Sequence, residues 1–208
     1  MTQMSKYNLN EAKFGTHSLI AEEIANEKLV LDVGCGKGYL KKLAPGNNFY
    51  GIDNNRDDLE QANCLGYQNV YCLDLNDYAK FTCNLKFDII IFADILEHLF
   101  DPEKVLRRLS VNYLKEGGKV IVSLPNVANI FIRFHLLFGN FNYTESGILD
   151  KTHLHLYTEK TAEIMIENSN LKIKKVKFSS NKFGRLLRFF PILGSLLGYN
   201  LIFVCEKK

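Results

Sequence analysis

The sequence has no C-x-x-C pair among its five cysteines, which are Cys35, Cys64, Cys72, Cys83 and Cys205. An odd number of cysteines at irregular spacing excludes a disulfide framework, and the missing C-x-x-C pair excludes a zinc ribbon. Reduced thiols are typical of the cytosol, so the pattern predicts a cytoplasmic protein.

Long apolar runs are also absent. No uninterrupted stretch approaches the roughly 18 residues that a membrane-spanning helix needs. The opening letters, "MTQMSKYNLNEAKFG", contain no apolar core of the kind found in signal peptides. We therefore expect a soluble protein that is at most peripheral to a membrane.

A strong excess of one charge is the third absence. The 26 basic and 23 acidic residues are mixed along the chain and give a net charge of +3. Such a balance does not predict a surface that follows nucleic-acid phosphates. The 208 residues, 47% of them hydrophobic, predict instead one globular domain with a packed core.

Short β-rich apolar runs alternate with helical patterns, which indicates βαβ units around a parallel sheet. The strands are predicted at 28–33, 48–53, 69–75, 87–94 and 119–125. The near-continuous run Ile89-Ile90-Ile91-Phe92 is typical of a central strand covered on both faces.

Two helices have clear start signals. Asp101 precedes Pro102 as an N-cap, and a stop is predicted at Gly117-Gly118. Thr158 is the predicted N-cap of a second helix, followed by the alternating strand "LKIKKVKF" and a last strand, "YNLIFVCEK".

A glycine-rich loop follows the first strand. "VLDVGCGKGYL" places Gly34, Gly36 and Gly38 between a strand and a predicted helix, where glycines let the backbone approach a ligand closely. The dinucleotide fingerprint G-x-G-x-x-G is not met, because the third glycine comes one position early and Tyr39 occupies its slot. A pyrophosphate ligand is therefore disfavoured.

Acidic residues stand at three strand ends. Asp53 follows Gly34 by nineteen positions (53 minus 34), where a carboxylate can bind both hydroxyls of a ribose. Asp32 lies directly before the loop and favours an ammonium or sulfonium over a pyrophosphate. Asp74 ends the third strand and is predicted to face the amine of an adenine.

These stretches together resemble the motifs of class I S-adenosylmethionine-dependent methyltransferases. The matching stretches are, in order, "LDVGCGKG", "GIDNN", "LDL", "FDIIIFADILEHL" and "LKEGGKVIVSLPN", within residues 28 to 125. The resemblance implies a Rossmann-like α/β fold, with a mostly parallel seven-stranded sheet, an antiparallel last strand and helices on both faces.

The resemblance also implies S-adenosylmethionine as cofactor, with S-adenosylhomocysteine as product. The implied cofactor residues are Asp32, Gly34, Cys35, Gly36, Gly38, Asp53, Asn54, Asp74, Leu75 and Asp94. Cys35 is expected to pack as a small apolar side chain and to contribute only its backbone N–H. Glu97 and His98 follow the fourth strand, where such enzymes face cofactor and acceptor, and no separate role is assigned to Glu97.

A second, narrower resemblance concerns the stretch from "LPNVANIF" to "HLHLYTEKT". It is similar to the acceptor-side segment of small methyltransferases in bacterial surface-polysaccharide and related glycan pathways. The single domain, 1–208, then divides into a helical cap (1–27), a cofactor-binding core (28–125), an acceptor-side insert (126–158) and a C-terminal helix and strand pair (159–208) with an apolar insert (182–198).

The letters "ILDKTHLHLYT" supply the predicted catalytic group. An extended "KTHLHLY" would place Lys151, His153, His155 and Tyr157 on one face, with the intervening leucines buried on the other. A hydroxyl acceptor must lose its proton, and histidine titrates near neutrality, so we predict His153, and after it His155, as general base oriented by Asp150.

Other residues receive weaker assignments. His98, Tyr143, Glu145 and Tyr157 are predicted to contact the acceptor, whereas His17 and His135 are interpreted as surface or packing residues. An H-x-H pair with Asp150 also suits a divalent metal, but without further ligands no metal is predicted.

The predicted activity is methyl transfer to a hydroxyl of a small-molecule or sugar acceptor. An amine or amino sugar is the nearest alternative, since a neutral amine needs less help from a base. A non-catalytic, S-adenosylmethionine-binding regulatory subunit is a rival of another class. DNA amino-methylation is disfavoured because "ADILEHL" lacks the required Pro-Pro-aromatic run, and a nicotinamide enzyme is disfavoured by the glycine spacing.

The segment "KFGRLLRFFPILGSLLG" mixes cationic and apolar residues, and Pro191 is expected to break any helix there. Contact of 182–193 with a membrane surface is one expectation. Packing on the protein's own sheet, covering the active site and forming a homodimer contact are the alternatives.

Overall fold

The computed structural model describes residues 12–208, which fold around one seven-stranded sheet. The strands are β1 (Leu29–Val33), β2 (Asn48–Asp53), β3 (Asn69–Cys72), β4 (Phe87–Ala93), β5 (Leu114–Pro125), β6 (Leu171–Ser179) and β7 (Asn200–Lys207). The helices are α1 (Thr16–Ala21), α2 (Tyr39–Leu43), α3 (Arg56–Cys64), α4 (Pro102–Tyr113), α5 (Ile130–Leu137), α6 (Glu159–Asn168), α7 (Gly184–Phe189) and α8 (Gly194–Leu197). Short 3₁₀ helices lie at Leu75–Lys80, Leu96–His98 and Pro191–Leu193.

The strand order is β3-β2-β1-β4-β5-β7-β6. The pairs β2–β3, β1–β2, β1–β4 and β4–β5 are parallel, and β7 runs antiparallel to both β5 and β6. The predicted seven-stranded sheet with a reversed last strand is therefore confirmed. The strands after β1 are added first on one side of it (β2, β3) and then on the other (β4, β5), so the strand order reverses between β1 and β4. Open α/β sheets bind ligands at such a switch point, outside the carboxyl ends of their strands.

The central strand β4 is buried on both faces. Ile90 and Phe92 point into one core cluster, and Ile89 and Ile91 point into the other, on the opposite side of the sheet. Side chains alternate between the faces of a strand, so an unbroken apolar run requires helices on both sides. The sequence interpretation of this strand is confirmed.

Two predicted boundaries are wrong. Helix α4 begins as predicted, with the Asp101 carboxylate accepting from the Lys104 N–H, but it ends at Tyr113, ahead of the predicted glycine stop. Leu114 enters the core and pairs with Phe87, so β5 begins there, and Gly117 adopts a left-handed φ of 70° inside the irregular start of the strand. The third strand ends earlier than predicted, at Cys72.

The C-terminal helix has the predicted start. The Thr158 hydroxyl accepts from the Thr161 N–H, and the Thr161 hydroxyl lies 2.9 Å from the Thr158 nitrogen, which completes a reciprocal cap. The predicted helical cap at 1–27 lies partly outside the described residues, and its described part contains α1.

The apolar insert is anchored at its ends and exposed in its middle. Pro191 separates α7 from the next turn, as predicted. Gly194 lies so close to Phe178 that an added Cβ would stand 2.1 Å from its ring, whereas Ile192 is 87% exposed. Packing on the sheet is thus one role of this insert, and membrane or dimer contact stays a prediction. Within the described residues, no helix has the length and apolarity to cross a bilayer.

Asn126 joins the acceptor-side insert to the C-terminal strands. Its buried amide nitrogen lies 2.9 Å from the Ser195 carbonyl oxygen and 3.0 Å from that of Gly198, and its amide oxygen accepts from the Ala128 N–H. This one side chain therefore fixes the end of β5 against the turn that precedes β7.

Replacing Asn126 by alanine should lower the free energy of unfolding by about 2 to 3 kcal/mol, because buried backbone groups lose their partner. Urea denaturation of both proteins measures this change. The exposed Asn140→Ala variant is the matched control and should unfold like the wild type. Equal unfolding midpoints for Asn126→Ala and wild type would contradict the assignment.

Candidate active site

Two adjoining cavities open at the carboxyl ends of the parallel strands. The first has a volume of about 470 Å³ and is bounded by the glycine loop. The second has a volume of about 640 Å³ and lies beside the ends of β5, β6 and β7. His17 and Asp94 line both cavities, so these two side chains mark the place where the cavities meet.

Most of the predicted cofactor residues line the first cavity. They are Asp32, Gly34, Cys35, Gly36, Asp53, Asn54 and Asp94. Gly38, Asp74 and Leu75 are not part of its wall. Asp74 instead caps the following 3₁₀ helix through the Asn76 N–H, and Leu75 is buried in the core. The adenine contact predicted for these last two residues stays a prediction.

The glycine loop is shaped by its contacts with β2 and β4. Gly34 has a φ of 76°, and a Cβ there would lie 2.6 Å from the Ile95 side chain, so only glycine fits. The Gly34 and Cys35 N–H groups both donate to the Ile52 carbonyl. Cys35 is buried, as expected, but its N–H is therefore used within the fold.

Asp53 connects the end of β2 to the glycine loop. One carboxylate oxygen lies 2.8 Å from the Gly36 nitrogen, and the other lies 2.9 Å from the Asn55 nitrogen. Backbone donors hold the carboxylate at the cavity wall, and each oxygen keeps a second lone pair for a ligand hydroxyl. This geometry suits a vicinal diol such as that of a ribose.

Asp32 is a buried carboxyl group with one oxygen left unpaired. The Tyr67 hydroxyl donates to Oδ2 at 2.7 Å, while Oδ1 has no hydrogen-bond partner. Burial raises the pKa of Asp32 to about 7; the Tyr67 hydrogen bond acts in the opposite direction, and the charge of Asp53 adds to the rise. A cation in the first cavity would favour the ionised form. The sequence analysis did not identify Tyr67, which lies 35 residues away.

Asp94 has a left-handed backbone, with φ of 51°, at the end of β4. Its Oδ1 accepts from the Ser123 hydroxyl at 2.6 Å and from the Asn200 amide at 2.7 Å. Such a conformation costs free energy in a residue other than glycine and is commonly retained at functional sites. The strained backbone directs this carboxylate to the junction of the cavities.

The segment 148–158 is a series of turns, so the prediction of an extended strand is wrong. The Leu154 and His155 N–H groups both donate to the Glu97 carbonyl oxygen, at 2.8 and 3.1 Å. His153 is buried as a result, whereas Leu154 is 52% exposed. The sequence analysis predicted buried leucines opposite the histidines. At His153 and Leu154 the structure shows the opposite, because the histidine is buried and the leucine is exposed.

The two histidines of the segment have different surroundings. His153 lines the second cavity and donates from Nδ1 to the Ile148 carbonyl at 3.0 Å. His155 instead uses Nε2 on the Leu99 carbonyl at 3.0 Å and lines neither cavity. Asp150 lines the first cavity, and its Oδ1 accepts from the Thr152 N–H and hydroxyl. The Ile148 backbone carbonyl thus orients His153, the role that was predicted for Asp150.

The predicted acceptor residues are dispersed. Tyr143 is 56% exposed, Glu145 forms an ion pair with Lys151 at 2.7 Å on the surface, and Tyr157 is packed in the core. None of the three lines either cavity. His98 lines the first cavity rather than the second, with Nδ1 3.2 Å from both Thr152 oxygens.

The structure places two further residues, His17 and Glu97, at the cavities. His17, interpreted from sequence as a surface or packing residue, lines both cavities, and its buried Nδ1 has no hydrogen-bond partner. Glu97 is 1% exposed, and neither carboxylate oxygen has a partner. The "LEH" letters after β4 were a visible signal for Glu97, but nothing in the sequence brings His17 to the strand ends.

A family model described as "Methyltransferase domain" matches residues 24–189. The match spans β1 to β6 and includes the glycine loop, the Glu97 turn and the segment 148–158. It therefore covers the greater part of both cavities.

Two kinds of curated protein show local similarity. "Ubiquinone biosynthesis O-methyltransferase" of Glaesserella parasuis is 34% identical over 109 residues, which cover 48% of this chain and 46% of that protein. "Probable (S)-tetrahydroprotoberberine N-methyltransferase 2" of Papaver bracteatum is 28% identical over 112 residues, which cover 49% of this chain and 31% of that protein. The chain thus spans less than half the length of these relatives.

Solved structures show the same fold. An S-adenosylmethionine-dependent methyltransferase from Clostridium acetobutylicum superimposes with a TM-score of 0.62 at 17% identity, covering 96% of this chain and 93% of that one. A possible histamine N-methyltransferase from Thermotoga maritima gives a TM-score of 0.64 at 15% identity, covering 93% and 88%.

The buried Asp32 carboxyl group should make the free energy of unfolding depend on pH. Its pKa is higher in the folded state than the ordinary 3.8, so the folded protein loses stability as pH rises from about 4 to about 7. Asp32→Asn removes this loss. We expect the variant's gain in unfolding free energy over wild type to be roughly 2 to 3 kcal/mol larger at pH 8 than at pH 5.

Urea denaturation at both pH values, without ligand, measures this difference. The exposed Asp57→Asn variant is the control and should show the same small effect at both. A gain for Asp32→Asn that does not change with pH would show that the carboxyl group has an ordinary pKa.

Proposed function

The chain belongs to the family of class I S-adenosylmethionine-dependent methyltransferases, and we propose that it transfers the cofactor's methyl group to a hydroxyl group of a small-molecule or sugar acceptor. The observation that carries this proposal is the meeting of the two cavities at His17 and Asp94. A cofactor in the first cavity and an acceptor in the second would have their reacting atoms at this junction.

The residues of the first cavity fit the cofactor. The paired backbone donors on Asp53 leave lone pairs for the ribose hydroxyls, and the unpaired Oδ1 of Asp32 suits a nearby positive charge. When bound, S-adenosylmethionine supplies an electrophilic methyl group on a sulfonium. The protein's task is then to hold the acceptor in line with that methyl group at close range.

We assign the role of general base to His17 in preference to His153. Burial lowers the pKa of His17, against a smaller rise from Asp94, so the imidazole is neutral near pH 7 and able to accept a proton. Its buried Nδ1 has no hydrogen-bond partner among the described residues. The Nε2 of His153, in contrast, lies 3.9 Å from a Glu97 carboxylate oxygen, inside a buried cluster.

The second cavity favours a polar acceptor. Residues with hydroxyl or amide side chains, among them Ser180, Asn181 and Tyr199, line this cavity. These groups both donate and accept hydrogen bonds, which suits an acceptor with several hydroxyl groups. Lys182 and Phe183, from the start of the apolar insert, complete the wall and support the predicted role of that insert at the active site.

The relatives' names include both an O-methyltransferase and an N-methyltransferase, and so do not choose between oxygen and nitrogen. A base at the junction favours oxygen, because a neutral amine needs no proton removed before attack. An amine or amino sugar in the same cavity is the alternative. Membership of a surface-polysaccharide or other glycan pathway is proposed from the acceptor-side sequence alone.

Asp53→Ala should weaken binding of S-adenosylmethionine by about 1.5 to 3 kcal/mol, because the charge-assisted contact with the ribose is lost. Isothermal titration calorimetry measures the affinity, with the exposed Asp57→Ala as matched control. An unchanged dissociation constant would remove Asp53 from the ribose site.

His17→Ala should lower turnover roughly 100-fold while cofactor affinity stays within a few-fold of wild type, because proton removal loses its base. Added imidazole should restore part of the activity, a response that a purely structural role would not give. The exposed His135→Ala is the control. Full activity of His17→Ala, or the same loss confined to His153→Ala, would contradict this assignment.

A non-catalytic S-adenosylmethionine-binding subunit is the rival function. It predicts intact cofactor binding and no methyl transfer to any glycan, sugar or amine pool, and no difference between wild type and His17→Ala. Incubation with cofactor labelled in the methyl group, followed by separation of products, distinguishes the two functions.

A further inference from the structure

Three potential metal ligands converge in the walls of the two cavities, Glu97 and His153 in the second and His98 in the first. Glu97 and His98 lie in the 3₁₀ turn after β4, and His153 comes from the segment 148–158. One ligating atom of each lies within 4.8 Å of the others. The Glu97 carbonyl, which accepts from Leu154 and His155, holds the two pieces of chain together.

Glu97 is the unusual member of this cluster. Its side chain is 1% exposed, and within residues 12–208 neither carboxylate oxygen has a hydrogen-bond partner. A buried ionised carboxylate without partners is strongly unfavourable, so it requires either a proton or a cation. The two nearest imidazoles, those of His98 and His153, favour a cation.

The histidines are held in the manner of metal ligands. His153 donates from Nδ1 to the Ile148 carbonyl, which leaves the Nε2 lone pair free, and this Nε2 lies 3.9 Å from Glu97 Oε1. His98 has its Nδ1 on Thr152, which likewise leaves Nε2 as the free nitrogen. Backbone oxygens on the outer ring nitrogen are the usual supports of metal-binding histidines.

The surroundings favour positive charge. Burial is the main cause that raises the pKa of Glu97, and the carboxylates of Asp94 and Asp150 raise it further. Among the described residues, no Lys or Arg side chain forms an ion pair with Glu97.

We propose that Glu97, His98 and His153 bind a divalent transition-metal ion such as Zn²⁺. Two imidazoles and one carboxylate suit zinc and its neighbours in the first transition series better than Mg²⁺ or Ca²⁺, which favour all-oxygen ligands. Three protein ligands leave at least one coordination position open, as in catalytic rather than structural zinc sites.

The position of the site gives the ion a role that rests on the proposed function. Glu97 and His153 line the second cavity, next to the junction formed by His17 and Asp94. An acceptor hydroxyl that occupies the open position would be oriented towards the junction and would lose its proton to His17 more readily.

This site differs from the metal alternative considered from sequence. That alternative joined His153 to His155 and Asp150, but the His155 Nε2 is engaged by the Leu99 carbonyl. The sequence analysis lacked the ligands Glu97 and His98. His98 precedes His153 by 55 positions (153 minus 98), and the fold brings the two residues together.

Calorimetric titration of chelator-treated protein with Zn²⁺, without cofactor or acceptor, tests the proposal. We expect one zinc ion per chain in wild type, and an affinity at least 100-fold lower in Glu97→Gln and in His153→Ala. Glutamine has the shape of a protonated glutamic acid, so Glu97→Gln should retain the fold; unchanged calorimetric binding of S-adenosylmethionine checks this.

The matched controls are Glu145→Gln and His135→Ala, whose side chains are exposed and which should bind zinc like the wild type. Absence of zinc binding to wild type would overturn the proposal. Equal binding by Glu97→Gln would place the ion elsewhere, for example on the exposed thiols of Cys64 and Cys72, and would overturn it also.

The test separates this site from the proposed function. Zinc binding that depends on Glu97 in a protein without methyl-transfer activity would support the site and contradict the function. Methyl transfer by a protein that binds no zinc would support the proposed function and contradict the metal site.

Discussion

The Glu97 carbonyl oxygen accepts hydrogen bonds from both Leu154 and His155, and the arrangement of the site depends on this pair. It fixes a segment that follows β5 by more than twenty residues against the turn that follows β4. The same segment places the buried His153 in the wall of the second cavity and Thr152 beside His98. The letters "ILDKTHLHLYT" are thus neither a strand edge nor a reactive surface, but a loop that carries one buried histidine into the site.

The two cavities differ in the charge that they favour, and this difference accounts for the chemistry. In the first cavity, one carboxyl group, Asp32, is left with an unpaired oxygen and a pKa of about 7, which suits a ligand carrying a positive charge near a ribose. At the junction, Asp94 has a strained backbone, and the His17 Nδ1 has no hydrogen-bond partner among the described residues; we propose that an acceptor loses its proton there. Glu97 and His153 in the wall of the second cavity, with His98 in the wall of the first, form the group that we propose to bind a metal ion. Each of these unsatisfied groups has a stability cost that binding would offset.

Patterns of short range predicted the fold well. Alternation of apolar runs with helical patterns and the caps at Asp101 and Thr158 depend on a few neighbouring residues, and the structure confirms them. The reversed last strand, which the family resemblance implied, is confirmed as well. The site was predicted where strand ends bring residues together, as at Asp32, Gly34 and Asp53. It was missed where contacts join distant parts of the chain: Tyr67 on Asp32, His17 at the junction and Glu97 beneath it. The period-two interpretation of "KTHLHLY" failed because backbone bonds to Glu97, not side-chain burial, determine the path of that segment.

The central claim is that the glycine loop and its acidic residues bind S-adenosylmethionine and not a dinucleotide. Calorimetric titration of the wild-type protein with S-adenosylmethionine, S-adenosylhomocysteine and NAD tests it most directly. The account predicts one binding site for each of the first two ligands and no heat of binding with NAD. Binding of NAD alone, or of none of the three, would contradict the assignment of both cavities.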